Sequence, residues 1–209
     1  MELPRSYYIL DIDILKNIKY NHYAMTKFTK KAITETFVSM VEKRCIDEIT
    51  VSELTKECGI NRNTFYYHYS DIFAVLSDVF EQQVILATNS EKRGDMEADL
   101  CEALSLMKRH KDFVNHVYYS SARDIFIKYL NTTMDKLTET HFQFYYDEYA
   151  LSPEKQKFST HIISLVLRSF VIEWIRNSYD IPVEKLAHTT SIIFDSIIDN
   201  TLDTLKNKL

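Results

Sequence analysis

Glycine is almost absent from this chain of 209 residues, which contains only Gly59 and Gly94. The two lie too far apart to form a phosphate-binding loop, a dinucleotide-binding fingerprint or the glycine-flanked serine of a hydrolase. Proline is nearly as rare, with three residues, and a chain poor in both residues favours long helices with few tight turns. The composition therefore predicts an all-α protein.

Cysteine is also scarce: the three thiols, Cys45, Cys58 and Cys101, are widely spaced. An odd number of cysteines without a CxxC pair is typical of a reduced cytoplasmic protein. Because the HExxH motif is missing as well, we expect no metal and no cofactor. No pairing of a nucleophile with a base is visible, so we expect no catalytic residue and no enzyme.

Long apolar runs are missing too. No uninterrupted stretch of about 18 apolar residues occurs, so the sequence predicts no membrane-spanning helix. The first residues, MELPRSYYILDIDILKN, mix apolar side chains with acids and lack a small-residue cleavage site, which argues against a signal peptide. We therefore expect a cytoplasmic protein.

Helical spacing of apolar residues begins after an irregular first segment. Residues 25–44 have the pattern of an amphipathic helix, and the side chains expected to face inward are Phe28, Ala32, Phe37, Met40 and Val41.

Two short helices are predicted around Gly59. Thr50 is followed three places later by Glu53, a capping-box pattern that starts a helix near Val51. Gly59 tolerates the positive φ that ends such a helix, and Asn61 is placed to cap a third helix over about 62–69. Two short helices that meet at a glycine turn are typical of a helix-turn-helix unit. Four residues are expected to hold this unit together: Gly59, Ile60, Phe65 and Tyr69.

The remaining side chains of the third helix are expected to point outward. Arginine and asparagine can each make two parallel hydrogen bonds to a base edge, and tyrosine and threonine hydroxyls can reach phosphates. Arg62 could instead pair with Glu57, and His68 could be a solvated histidine at a helix end. The predicted DNA-contacting residues are Lys27, Thr50, Arg62, Asn63, Thr64, Tyr66, Tyr67 and His68.

The segment TVSELTKECGINRNTFYYHYSDI resembles the DNA-binding module of the TetR family of transcription regulators. The likeness extends over about residues 25–86 and rests on Gly59, Ile60, Asn61, Thr64, Phe65, Tyr66 and Tyr69. It implies an N-terminal helix-turn-helix, a larger helical domain for ligand binding and dimerisation, and operator binding as a dimer. Two positions depart from the family pattern: Ile72 replaces a phosphate-binding lysine, and Thr55 replaces an alanine that faces the third helix.

Three regions are predicted: an N-terminal extension over 1–24, the helix-turn-helix domain over 25–86, and an effector-binding and dimerisation domain over 87–209. Further helices are expected over 96–110 and about 122–147. The last two, about 153–177 and 182–206, carry apolar surfaces too wide for one stripe. Each would bury one side in its own domain and the other in a partner, which predicts a four-helix homodimer interface. The alternative is a monomer with unusually buried helices.

Aromatic side chains and histidines are concentrated between residues 113 and 149. Apolar walls with a few hydroxyls and imidazoles suit a small organic effector, although the same residues could simply build a core. The predicted effector pocket consists of Phe113, His116, Tyr119, Phe126, His141 and Tyr145.

The sequence therefore favours a dimeric transcription regulator, a ligand-responsive repressor that binds an inverted-repeat operator in double-stranded DNA. The charge pattern supports an alternative. Between residues 27 and 72, seven basic residues are balanced by seven acids, and the whole chain carries a net charge of −5, which is not a basic footprint. A TetR-like co-regulator or activator controlled by a protein partner would fit this pattern.

Overall fold

The computed structural model describes residues 28–88, 96–148 and 152–208, and in these ranges the chain forms helices and no strand. The predicted all-α class is confirmed. We label the helices in chain order: α1 (28–41), α2 (Val51–Cys58), α3 (Arg62–His68), α4 (Ile72–Thr88), α5 (Met96–Arg109), α6 (Lys111–Tyr118), α7 (Arg123–Glu148), α8 (Pro153–Arg176) and α9 (Val183–Lys208). A single 3-10 turn, Ile46–Glu48, lies between α1 and α2.

Polar side chains cap the starts of α4 and α8. The Asp71 carboxylate accepts a hydrogen bond from the Ala74 amide at 2.8 Å, which caps α4. The Ser152 hydroxyl caps α8 in the same way, and Pro153 occupies the first helical position, where its missing N–H costs nothing. Helix α5 ends at Arg109, one residue before the predicted end of the helix over 96–110, and α6 begins at Lys111.

The inward face of α1 differs from the prediction in part. Phe37, Met40 and Val41 are buried as expected, but Phe28 is 73% exposed and Ala32 is also exposed. Ile33 is buried in their place. Ile33 and Phe37 are four residues apart on one helix face, while Phe28 and Ala32 are four apart on another. The prediction for Phe28 and Ala32 is therefore wrong.

We call residues 28–88 the head and residues 96–208 the body. They meet where α4 packs on α7. The Phe80 ring of α4 stacks on the Tyr129 ring of α7 at a centroid distance of 4.3 Å and also touches Phe126 and Phe113. The predicted domain boundary at residue 86 lies inside α4 and stays a prediction.

Within the body, α7 and α8 pack antiparallel along a row of polar contacts, which we call the α7–α8 seam. Tyr146 bonds to Thr160, Ser164 donates to Asp135, and Arg168 donates to Asn131. By length and composition α8 could cross a membrane, but 44% of its most apolar window is buried inside the protein. The polar bonds along the seam are those of a core helix packed on its neighbour.

Candidate nucleic-acid interface

The turn between α2 and α3 is built as the sequence predicts. The Thr50 hydroxyl accepts from the Glu53 amide while the Glu53 carboxylate accepts from the Thr50 amide, so the capping box is confirmed. Gly59 has a φ of +68°, and a Cβ added there would meet no atom within 4 Å. Glycine is therefore required by the backbone conformation and not by lack of space. The Asn61 side chain accepts from the Thr64 amide at 2.8 Å and caps α3.

The inner face of α3 fixes this helix to the head. Phe65 is completely buried and Tyr69 is 5% exposed, and their ring centroids lie 5.9 Å apart. Ile60, which was expected to help, is half-buried and packs against the core. The predicted structural roles of these side chains are consistent with their burial.

A polar contact that the sequence did not predict completes this attachment. The Tyr69 hydroxyl donates to the Asp78 carboxylate at 2.5 Å, and the Lys30 ammonium lies 3.4 Å from the same carboxylate. Burial, with the Asp78 charge beside it, raises the pKa of the Tyr69 phenol, so the phenol stays a donor. Burial disfavours the charged form of Asp78, but the Tyr69 hydrogen bond and the Lys30 charge have the larger combined effect. The pKa of the Asp78 carboxyl is therefore lowered. Local sequence offers no signal for the Lys30 contact, because Lys30 and Asp78 are 48 residues apart.

The outer face of α3 presents most of the predicted DNA-contacting side chains to solvent. Arg62 and Asn63 are exposed, as are Tyr66 at 55% and Tyr67 at 67%. Thr64 and His68 are half-buried. Helix α3 therefore has one anchored side and one open side with hydrogen-bonding groups, the arrangement that a helix needs to enter the major groove.

Several of the predicted DNA-contacting side chains already have partners within the head, and the Thr64 hydroxyl donates to the Asn61 side-chain oxygen at 3.1 Å. The Arg62 guanidinium donates to the Ser52 hydroxyl of α2, and not to Glu57. The Thr50 hydroxyl is engaged in the capping box, although the residue is exposed. Lys27 lies outside the described residues, so its role stays a prediction.

The head carries a net negative charge. Residues 28–88 contain six Lys or Arg and nine Asp or Glu, a net charge of −3 with histidine neutral. Three of the six cations are paired, in Lys30–Asp78, Lys31–Glu35 and Arg44–Glu53. A DNA contact made here would depend more on hydrogen bonding and aromatic contact than on phosphate neutralisation.

The predicted effector-pocket residues do not converge on one cavity. Phe113 and Phe126 are buried around Phe80 in the core, whereas Tyr119 is 64% exposed. The His116 ring bonds to the Val41 carbonyl in the head. The His141 ring lies 2.9 Å from the Asp99 carboxylate of α5. The side chain of Tyr145 lies outside the described residues. The pocket stays a prediction without a cavity assigned to it.

Two clefts in the described part of the chain are lined by other residues. One of about 510 Å³ opens along the α7–α8 seam between Asp135, Tyr146 and Thr160. The other, of about 400 Å³, lies between the end of α5 and the start of α9. In residues 28–88, 96–148 and 152–208 no group of three His, Cys, Asp or Glu side chains could hold a metal ion.

Comparisons with known proteins agree with this architecture. A family model for the C-terminal region of TetR-type transcriptional regulators matches residues 94–196. A search of curated protein sequences finds no match.

Solved structures share the fold over nearly their whole length. The dihydroxyacetone kinase operon activator DhaS superposes with a TM-score of 0.65 at 18% identity, over 82% of this chain and 97% of its own. A TetR/AcrR-family regulator from Aquifex aeolicus gives 0.52 at 19% identity, over 81% and 99%. The fatty acid degradation regulator FadR from Bacillus halodurans gives 0.50 at 14% identity, over 87% and 96%. At these identities the likeness establishes the fold.

Proposed function

The chain belongs to the TetR family of transcriptional regulators, and we propose that it regulates transcription as a homodimer that binds an inverted-repeat operator through α3. The observation that carries the proposal is the two-sided construction of this helix. Phe65 and Tyr69 fix its inner face, while Arg62, Asn63 and Tyr66 stand exposed on its outer face. In a dimer the two α3 helices would occupy successive major grooves about 34–36 Å apart.

The dimer would form through α8 and α9. Phe158 and Ile162, four residues apart on α8, are 60% and 42% exposed, and Ile192 on α9 is 52% exposed. Large apolar side chains in that number on two neighbouring helices are typical of a protein interface. A four-helix contact between two copies would cover them.

In the same proposal, a small organic effector bound by the body changes the spacing of the two α3 helices and so releases the operator. In this arrangement the protein represses transcription until the effector binds. A differential affinity of a few kcal/mol between the two arrangements is sufficient for release.

A second candidate function is activation or co-regulation through a protein partner. Two observations favour it. The head carries a net charge of −3, which weakens the attraction to bare DNA, and DhaS, which shares the fold, is named as an operon activator. A partner protein would then supply the contacts that the acidic head lacks.

The test is binding of the purified protein to DNA from directly upstream of its own gene. Fluorescence anisotropy is measured at two salt concentrations with random DNA as competitor. We expect saturable binding that resists the competitor, with a slope of log affinity against log salt near −5 if about six phosphates are neutralised per dimer. Equal and weak binding to both DNAs would contradict self-proximal operator binding and favour the partner-dependent function.

A further inference from the structure

Helix α6 is bonded to the head through residues at and beyond its C-terminal end. The His116 Nδ1–H donates to the Val41 carbonyl at 2.6 Å, and the Cys45 thiol donates back to the His116 carbonyl at 3.6 Å. The Asp47 carboxylate accepts from the Ser121 amide at 3.1 Å and from its hydroxyl at 2.5 Å. These three contacts join the end of α1 and the following 3-10 turn to the body.

The His116 contact satisfies a group that a helix end leaves without an internal partner. Val41 is the last residue of α1, and the final carbonyls of a helix have no amide ahead of them to bond. Because Nδ1 meets a carbonyl oxygen, it must carry the proton. Loss of the His116 imidazole would therefore leave the carbonyl of the buried residue Val41 without its hydrogen-bond donor from the body.

The residue before His116 points to a different part of the body. The Asn115 side-chain oxygen accepts a hydrogen bond from the Tyr179 hydroxyl at 3.0 Å. Tyr179 lies in the turn between α8 and α9 and is 7% exposed. Burial, followed by the neighbouring Tyr119 and Asp112, raises the pKa of the Tyr179 phenol, so it remains a donor at neutral pH.

The turn that holds Tyr179 is strained. Ser178 and Tyr179 have φ values of 56° and 59°, which side chains other than glycine rarely adopt. Packing fixes this conformation: the Tyr179 ring lies edge-on to Trp174 at 4.8 Å, and the Trp174 indole N–H donates to the Ile181 carbonyl at 2.8 Å. Because packing holds this turn in one conformation, the turn can transmit a displacement of α8 or α9 instead of absorbing it.

We propose that Asn115 and His116 are positioning residues that couple the α8–α9 turn to the head, so that the arrangement of α8 and α9 sets the orientation of α3. Adjacent residues on one rigid helix connect the two parts of the molecule. The coupling is a contiguous set of hydrogen bonds: Tyr179 to Asn115, along α6 to His116, and from His116 to Val41. The DNA-binding consequence rests on the proposed function, since it needs α8 and α9 to be the dimer helices.

The test uses hydrogen exchange of the whole protein without DNA. The reporter amides are those of Arg44, Glu48 and Ile49. The Arg44 amide bonds to the Met40 carbonyl at the end of α1, and the other two bond to the Cys45 and Ile46 carbonyls in the turn that follows. Tyr179→Phe removes the hydroxyl and keeps the ring, so the fold is retained. We expect these three amides, which lie in the head, to exchange about five-fold faster, the factor that corresponds to one lost hydrogen bond.

Tyr118→Phe is the matched control. Tyr118 is also a buried tyrosine, on α6, and its hydroxyl accepts from Arg123 at 3.0 Å, the same length as the Tyr179 bond. This bond runs to the start of α7, so its loss should leave the three reporter amides unchanged. Equal acceleration in both variants, or in neither, would overturn the coupling.

A double variant distinguishes one connected series of hydrogen bonds from two independent hydrogen bonds. His116→Leu breaks the contact on the head side, and we expect Tyr179→Phe to add no further acceleration to it. Fully additive effects would overturn the proposal. Because exchange is measured without DNA, a protein that shows the coupling but binds no operator would keep this inference while the proposed function fails.

Discussion

Polar side chains make short-range hydrogen bonds around α2 and α3 of the head and long-range hydrogen bonds across the α7–α8 seam. Around α2 and α3, Thr50 and Asn61 bond to amides three residues along the chain. Across the seam, Tyr146 reaches Thr160 and Arg168 reaches Asn131, 14 and 37 residues away. Short-range bonds shape the turn and leave the outer face of α3 open. Long-range hydrogen bonds hold α7 and α8 together, and the polar side chains of the seam bond to one another.

The first prediction tests whether the head depends on a single aromatic anchor. Phe65→Ala should lower the free energy of unfolding by about 3–5 kcal/mol, because it empties a completely buried site beneath α3. The measurement is urea unfolding at a fixed protein concentration. Tyr67→Ala is the control, since this ring is 67% exposed on the same helix, and it should change stability by about 0.5 kcal/mol or less. Similar losses in both variants would refute the anchored inner face.

The second prediction concerns the seam. The Tyr146 hydroxyl contacts the Thr160 and Ser159 hydroxyls, and all three residues are buried. Tyr146→Phe should therefore cost about 2 kcal/mol, because it leaves buried oxygen atoms with fewer partners. Tyr146→Phe combined with Thr160→Val should cost less than the sum of the two changes. Strict additivity in urea unfolding would mean that the two hydroxyls do not cooperate.

The third prediction concerns the turn in the head. Gly59→Ala should lower stability by about 1 kcal/mol, because an alanine must take the left-handed conformation although no neighbouring atom is crowded. Gly59→Asn should cost less, since asparagine tolerates this conformation better. An alanine variant as stable as the original protein would contradict the observed φ of +68°.

The smallest expected effect is a dependence on pH at the junction of head and body. The Ser121 hydroxyl and amide hydrogen bonds lower the pKa of the Asp47 carboxyl. A carboxyl whose pKa is lowered in the folded state adds stability at neutral pH and loses it as pH falls through that lowered value. The difference in melting temperature between the original protein and Asp47→Asn should therefore be present at pH 7 and fade below about pH 4.

Glu48→Gln provides the control for this change, since it removes the same charge one residue further along the chain and Ser121 does not bond to it. We expect no comparable loss at pH 7. If Glu48→Gln behaves like Asp47→Asn, the effect comes from net charge and not from the Ser121 contact.

Much of the head could be predicted because its determinants are local. The capping box at Thr50, the turn at Gly59, the Asn61 cap and the burial of Phe65 all follow from residues within a few positions of one another. Phe28 shows where local reasoning fails. It fits a helical apolar pattern, but Ile33 belongs to the stripe that tertiary packing buries.

The body was predicted less completely because its determinants are distant in sequence. The start of α8 is set locally by Ser152 and Pro153, whereas contacts such as His116 with Val41 join residues 75 apart. An aromatic-rich segment also cannot show by composition whether it lines a cavity. Phe113 and Phe126 lie in the core, and Tyr119 lies on the surface.

The central claim is that the outer face of α3 reads DNA, and the most direct measurement is the ratio of operator affinity to random-DNA affinity in a double variant. Arg62→Ala with Tyr66→Ala should abolish this ratio while the protein remains a dimer. Lys157→Ala is the control, because it removes one exposed cation near the start of α8. This site lies beside the C-terminal end of α7, a helix about 39 Å long whose first turns contact the head. The control should leave the ratio unchanged. A double variant that is dimeric and still prefers the operator would contradict the claim.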